Sequence, residues 1–239
     1  MSDAARYVGS ELELFRDATC WKAYVADQLA PHVSGDVLEI GAGIGGTTAA
    51  VHRNSSRSWT CLEPDAALVV ELSAATAALR DLNGNPPSIV IGTLADVALS
   101  ARFDCILYLD VLEHIEDDRS ELARAAARLR PGGNLIVLSP AWNWLYSPFD
   151  RAIGHFRRYS RRTLLACTAP GTELLILRYL DSAGVAASLA NRVFLRRAQP
   201  TAQQIGVWDR WLVPLSRRLD AQLGFRVGKS ILAVWRRTS

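Results

Sequence analysis

Short apolar runs alternate along the chain with longer stretches whose apolar residues recur every three or four positions, the pattern of strands interleaved with helices. Val37, Leu38 and Ile40 follow the turn signal Ser34-Gly35-Asp36 in a run too short and too β-branched for a helix, so 37–40 reads as a buried central strand. Runs at 58–62, 88–91, 173–179 and 230–235 read as further strands; the block 103–115 reads as a strand and a ligand-bearing turn, and after a helix 129–138 reads as a Pro131-Gly132-Gly133 turn and a strand. Between them, 47–52, 66–79 and 161–167 read as helices, with Asp65 and Ser160 at the starts of the last two. Leu12, Phe15, Trp21, Tyr24, Val25 and Leu29 share helical spacing in 10–31, a helical preface to the sheet. Residues 183–227 hold two more helical patterns, the second carrying Trp208, Trp211, Leu212, Leu215 and Leu219, where Pro214 marks a kink or a break. The expectation is one α/β domain over 1–239, a mainly parallel sheet with helices on both faces. Its parts are a cap at 10–31, a core at 35–180, the insertion at 183–227 and a last strand at 230–237.

The first strand runs into Gly41, Gly43 and Gly45, which remove side chains and open backbone angles closed to other residues, so a ligand can lie against the main chain. A cofactor-sized molecule at a strand's carboxyl end is implied. Gly41, Gly43 and Gly46 also fit the dinucleotide spacing G-x-G-x-x-G, and the glycines alone leave both readings open. Glu39 separates them: an acid inside that strand repels a pyrophosphate and attracts a cofactor bearing an ammonium and a sulfonium, which is S-adenosylmethionine. Glu63 lies 22 positions after Gly41 at the end of the second strand, placed to accept both ribose hydroxyls.

Composition changes this picture little. The net charge of +3 rests on 27 basic residues, all arginine but Lys22 and Lys229, and is too mild to point to nucleic acid. Cys20, Cys61, Cys105 and Cys167 show no C-x-x-C spacing and read as reduced. No basic-then-apolar leader and no long apolar run occurs, so the expected location is cytoplasmic with no transmembrane segment.

At Val37-Leu38-Glu39-Ile40-Gly41-Ala42-Gly43-Ile44-Gly45 the chain resembles the class I S-adenosylmethionine-dependent methyltransferases. The blocks 103–115 and 129–138 resemble the fourth and fifth motifs of that family, so the resemblance spans roughly 35–140. It implies a Rossmann-like sheet of seven strands, the last antiparallel beside the sixth after a helical insertion. The cofactor would contact Glu39, Gly41, Ala42, Gly43, Gly45, Glu63, Leu109 and Asp110 and leave as S-adenosylhomocysteine. Thr93 and Leu94 would flank adenine, with Asp96 either bonding the adenine amine or capping a short helix. The N-terminal helices would lie over the cofactor or simply cover a sheet edge.

Asp110, Glu113 and His114 are spaced i, i+3, i+4 and can face one point if the segment turns helically. His114 is then a candidate general base oriented by an acid. The trio can also hold a divalent metal, as in some quinone-pathway O-methyltransferases it resembles, though no metal is expected. The loop 139–159 sets Trp142, Trp144 and Tyr146 beside a basic cluster, as walls of an acceptor pocket. Its Gly154-to-Tyr159 end resembles a Gly-His-aromatic-Arg-Arg-Tyr signature of a bacterial methyltransferase subgroup linked to cell-envelope or natural-product glycan pathways. His155 is the second candidate base, and Arg157, Arg158 and Tyr159 are candidate substrate contacts. The arginines either clamp a carboxylate or phosphate or bond acids such as Asp150. The insertion is a lid, a homodimer surface or an interfacial membrane helix. The expected activity is methyl transfer to an oxygen or nitrogen of a small-molecule acceptor, a sugar or natural-product intermediate. A nicotinamide oxidoreductase and a cofactor-binding subunit without catalysis are the alternatives.

Overall fold

The computed structural model describes residues 11–190 and 201–238. The first residue of the expected 10–31 preface, and 191–200 of the expected insertion, lie outside them.

Seven strands form one sheet: β1 (Gly35–Ile40), β2 (Ser56–Glu63), β3 (Ser88–Ile91), β4 (Phe103–Leu109), β5 (Leu129–Pro140), β6 (Thr172–Leu180) and β7 (Ser230–Arg237), in spatial order β3-β2-β1-β4-β5-β7-β6. All pairs are parallel except those of β7, which runs antiparallel between β5 and β6. That strand separates the fold from the all-parallel dinucleotide sheet of order 3-2-1-4-5-6. Alternate residues of the central strands supply two cores: Val37, Cys105, Leu107 and Ile136 face one way, Leu38, Ile106, Tyr108 and Val137 the other. The expected Pro131-Gly132-Gly133 turn is absorbed into β5 as a bulge, since Phe103 pairs with Leu129 and Cys105 already with Asn134. All four cysteines are unpaired, with Cys61 and Cys105 fully buried in β2 and β4.

The helical preface divides into α1 (Glu11–Leu14) and α2 (Thr19–Leu29). A distant acid defines the second start: the Asp209 carboxylate accepts from the Cys20 and Trp21 amides at 3.1 and 2.8 Å, as an N-cap would. After the glycine turn come α3 (Gly46–Val51), then α4 (Ala66–Thr76), capped by Asp65, and α5 (Asp118–Ala127) behind β4. Beyond β5 are α6 (Pro148–Ala152) and α7 (Arg161–Leu165), the latter capped by Ser160.

The insertion holds α8 (Ser182–Ala190), α9 (Ala202–Val207), a π-helical turn (Trp208–Leu212) and α10 (Val213–Gln222). Pro214 does not end this run. A proline lacks the amide that would close an α-turn and crowds the carbonyl four residues back, and the wider turn accommodates both effects. Two buried acids fasten these helices to the sheet edge. Asp181, just past β6 at φ 68°, accepts from Gly184 N, Ser216 Oγ and Trp208 Nε1 at 3.0, 2.7 and 2.8 Å. Asp220 accepts from Tyr24 Oη, Asp181 N and Ser182 N at 2.9, 2.7 and 2.9 Å, and so ties α2, α8 and α10 together.

Asp220→Ala removes three hydrogen bonds at a fully buried site. It should lower stability by about 2–4 kcal/mol, read as a reduced urea midpoint, whereas the exposed substitution Arg218→Ala should leave the midpoint unchanged.

Candidate functional site

One cavity of about 1210 Å³ opens at the carboxyl edge of the parallel strands. Its floor is the β1–α3 turn. Gly41 has φ 65°, and a Cβ there would stand 2.7 Å from Val111 Cγ2, so neither the angle nor the space admits a side chain. Ala42, Gly43, Ile44 and Thr47 continue the floor, and Leu12, Trp21 and Lys22 reach in from the N-terminal helices. Trp208 roofs the space with Phe15 and Trp21, its ring centroid 5.8 Å from each of theirs.

Of the expected cofactor residues, Glu39, Gly41, Ala42, Gly43, Leu109 and Asp110 line the cavity. Glu39 is buried, accepting from Thr48 Oγ1 and Trp59 Nε1 at 3.0 Å each. Burial pushes its carboxyl up to about 7 against the pull of those bonds. Gly45 caps α3 at φ 79° behind the floor, and Glu63 stands behind Gly43. The Glu63 oxygens accept from Gly43 N and Asp65 N at 2.7 and 2.9 Å, fixing the turn and leaving further lone pairs. Thr93 and Leu94 lie outside the cavity lining: Leu94 is fully buried, and the Thr93 amide and hydroxyl both donate to Asp96 in a capping box. Asp96 thus caps the short helix, one of its two expected roles.

Asp110, at φ 55° directly after β4, is exposed and lines the cavity. Burial pushes it up to about 6, against the charges of His155 and Lys229. Glu113 is fully buried with neither carboxyl oxygen hydrogen bonded. Burial, then the Asp110 charge, hold it well above the ordinary carboxyl range. Burial and then His155 push His114 down to about 4, leaving that ring neutral at pH 7.

Although 41 positions apart in sequence, His114 and His155 meet edge to face, 4.6 Å between ring centroids. The His155 Nδ1 is 3.0 Å from Asp150 Oδ1, and its Nε2 is 3.9 Å from Glu113 Oε1. Burial alone would raise Asp150, but hydrogen bonds from His155 and Arg158 hold its carboxyl far below the usual range. An ionised Asp150 favours a proton on His155 Nδ1. Glu113, His114 and His155 can also each offer one donor atom within 4.8 Å of the others, the single such group among the described residues.

The expected acceptor walls divide. Tyr146 lines the cavity and donates its hydroxyl to His155 O at 2.6 Å. Trp142 turns away at φ 67°, stacks on Tyr179 at 4.5 Å and donates to Gly228 O, while Trp144 is half exposed outside the cavity. Arg158 does not present an open fork to the cavity: it grips Asp150 with Nε to Oδ1 at 2.8 Å and Nη2 to Oδ2 at 3.0 Å. Arg157 binds Asp118 and Glu116 O, and the Tyr159 hydroxyl donates to Asp118 in the opposite core. The arginines therefore take the second of the roles open to them, bonding nearby acids. Asp150, Trp208, Lys22 and Lys229 were not among the sequence candidates and all line the cavity. The signal for two of them was compositional, since both lysines of an arginine-rich chain face the same space.

Residues 38–135 match a family model described as a methyltransferase domain. The ubiquinone biosynthesis O-methyltransferase of Rhodopseudomonas palustris is 28% identical over 138 residues, 56% of this chain and 51% of that protein. The ribosomal RNA small subunit methyltransferase C of Salmonella arizonae is 32% identical over 119 residues, 48% of this chain and 34% of that protein. The chain thus spans about half the length of the first relative and about a third of the second. A solved N-methyltransferase NodS from Bradyrhizobium japonicum, in complex with S-adenosyl-L-homocysteine, superposes with TM-score 0.55 over 99% of this chain and 95% of that one at 14% identity. Residues 38–135 therefore carry a methyltransferase domain, and the fold is that of solved methyltransferase structures.

Because the folded carboxyl of Glu39 is raised above its unfolded value of 4.5, its contribution to stability is fully present below that pH and lost as pH climbs through about 7. Glu39→Gln should therefore gain on the wild type between pH 5 and 8 by up to about 3 kcal/mol, measured by urea denaturation of the ligand-free protein. A constant difference across that window would place the titrating proton elsewhere.

Proposed function

We propose that this chain transfers the methyl group of S-adenosylmethionine to an oxygen or nitrogen of a small-molecule acceptor, with His155 as general base. The reading rests on one observation: the Asp150–His155 pair faces the same cavity as the glycine floor and Glu39. The cofactor fits that floor, where a Cβ is excluded at Gly41 and a half-neutral buried acid awaits a cation. Glu39 and the backbone of Gly41–Gly43 would hold the amino acid end, and Leu109 and Asp110 the region beside the sulfur. Bound there, the cofactor supplies an electrophilic methyl on a sulfonium.

The protein's own work is then alignment and deprotonation. The roof of Phe15, Trp21 and Trp208 excludes water and confines the acceptor, and alignment of this kind supplies up to roughly 7–11 kcal/mol in favourable cases. Asp150 holds the His155 Nδ1–H, Arg158 holds Asp150, and the lone pair at Nε2 takes the acceptor's proton, a step worth on the order of 100-fold or more. His114, already neutral at pH 7 and packed on the His155 ring, positions that ring.

The cavity's size supports a small acceptor such as a sugar or natural-product intermediate, and the relative named for ubiquinone biosynthesis points the same way. The expected exclusion of nucleic acid lacks that support, because another relative is a ribosomal RNA methyltransferase. Among the described residues no helix is long and apolar enough to cross a membrane, and we place the reaction in the cytoplasm. We read 1–239 as one functional unit.

The unbonded oxygens of Glu113 favour a second reading, in which Glu113, His114 and His155 hold a divalent ion that lowers the acceptor's pKa. That ion would raise the melting temperature of the wild type in manganese or zinc and leave Glu113→Gln unmoved. Equal melting curves with and without metal leave His155 as the base.

Isothermal titration should show binding of S-adenosylmethionine and S-adenosylhomocysteine but not NADH. Binding of NADH alone would overturn the proposal. With an acceptor in hand, His155→Ala should lose about 100-fold or more in turnover with cofactor affinity intact, and loss of both would assign His155 to pocket structure.

A further inference from the structure

The helical run from α9 to α10 leaves one face uncovered. Val207, Trp211 and Leu215, at i, i+4 and i+8, are 53%, 67% and 45% exposed, and Pro214 is exposed among them. Three large apolar side chains in one row on a charged protein's surface mark a contact site more often than chance exposure. Arg210, Arg217 and Arg218 flank the row, all exposed, with the Arg210 guanidinium 5.9 Å from the Trp211 ring centroid. Both acids of the run, Asp209 and Asp220, point inward and are buried. The exposed face therefore carries no carboxylate of its own, and the neighbouring Asp27 is bonded to Arg217.

We infer that this face docks on an anionic lipid surface. An amphipathic helix lying in the headgroup layer needs an apolar ridge to bury, an aromatic ring at the boundary and basic side chains at headgroup level, and the row supplies all three. Each arginine near an anionic leaflet adds to the attraction. A second copy of the chain fits less well, because a two-fold contact through this face sets arginines against arginines with no acid between them. The inference is independent of the methyl-transfer reading. One consequence does rest on that reading: Val207 belongs both to the row and to the cavity wall, so a membrane-anchored acceptor would enter beside it.

The test is co-sedimentation of the full chain with phosphatidylcholine vesicles made with and without phosphatidylglycerol. The expected result is binding to the anionic vesicles, weakened by salt, and reduced about tenfold or more in Trp211→Ala/Leu215→Ser and in Arg210→Glu/Arg218→Glu. Circular dichroism and S-adenosylhomocysteine titration of the same variants should match the wild type, which separates loss of docking from loss of fold or cofactor. The inference is overturned by no binding to either vesicle, by equal binding with and without phosphatidylglycerol, or by unaffected variants. A wild-type dimer that Trp211→Ala converts to monomer would also overturn it and assign the face to self-association.

Discussion

Three buried carboxylates inside the helical insertion and at its root hold the cavity closed above the sheet. Asp181 and Asp220 are each satisfied by three donors, and Asp209 caps a helix that begins almost two hundred residues earlier. A buried charge is tolerable only when fully hydrogen bonded, so each acid admits essentially one arrangement of its donors. That arrangement places Trp208 over the pocket, orders α2 beneath it and sets α8 against α10. The inward aim of these acids is also what leaves the outer face basic and apolar, so the roof's stability and the character of its exposed side have a common origin.

Much of the fold was legible in the sequence because its signals are local. A β-branched run followed by spaced glycines encodes β1 and its turn within ten residues, and each later strand carries its own short apolar run. The cavity floor was legible for the same reason: Glu39, Gly41, Gly43 and Asp110 sit at or just beyond strand ends, where topology alone sets their location. The Pro131–Gly133 turn, and the break that was one of the two readings of Pro214, were misjudged because a proline signal names a lost hydrogen bond without saying how the chain adapts. Here a π-turn and a β-bulge make room.

The acceptor side was less legible because side-chain direction in loops is set by contacts from far away. Trp142 looks like a pocket wall in sequence, but its positive φ and its bonds to Tyr159 O and Gly228 O turn the indole onto Tyr179. Arg157 and Arg158 resemble an anion clamp until Asp118 and Asp150, one of them 39 positions upstream of Arg157, prove to be their partners. Asp150 was visible only as a possible arginine partner, and nothing local showed that it also orients His155. The pairing of His114 with His155 required the loop to fold back across β4, which no spacing rule encodes.

The cavity's electrostatics follow from how these groups are shielded. Glu39, Asp110 and Glu113 are all raised by burial, Glu39 to about 7 and Asp110 to about 6, so near neutral pH the cavity carries less negative charge than its count of acids suggests. Asp150 is instead held strongly ionised, because Arg158 and His155 surround it with donors. A cationic ligand arriving beside Glu39 stabilises the charged carboxylate and draws its pKa down, so the negative charge develops where the cation sits and when it arrives. Asp150 stays ionised independently of any cation, and its bond to the His155 ring persists with it.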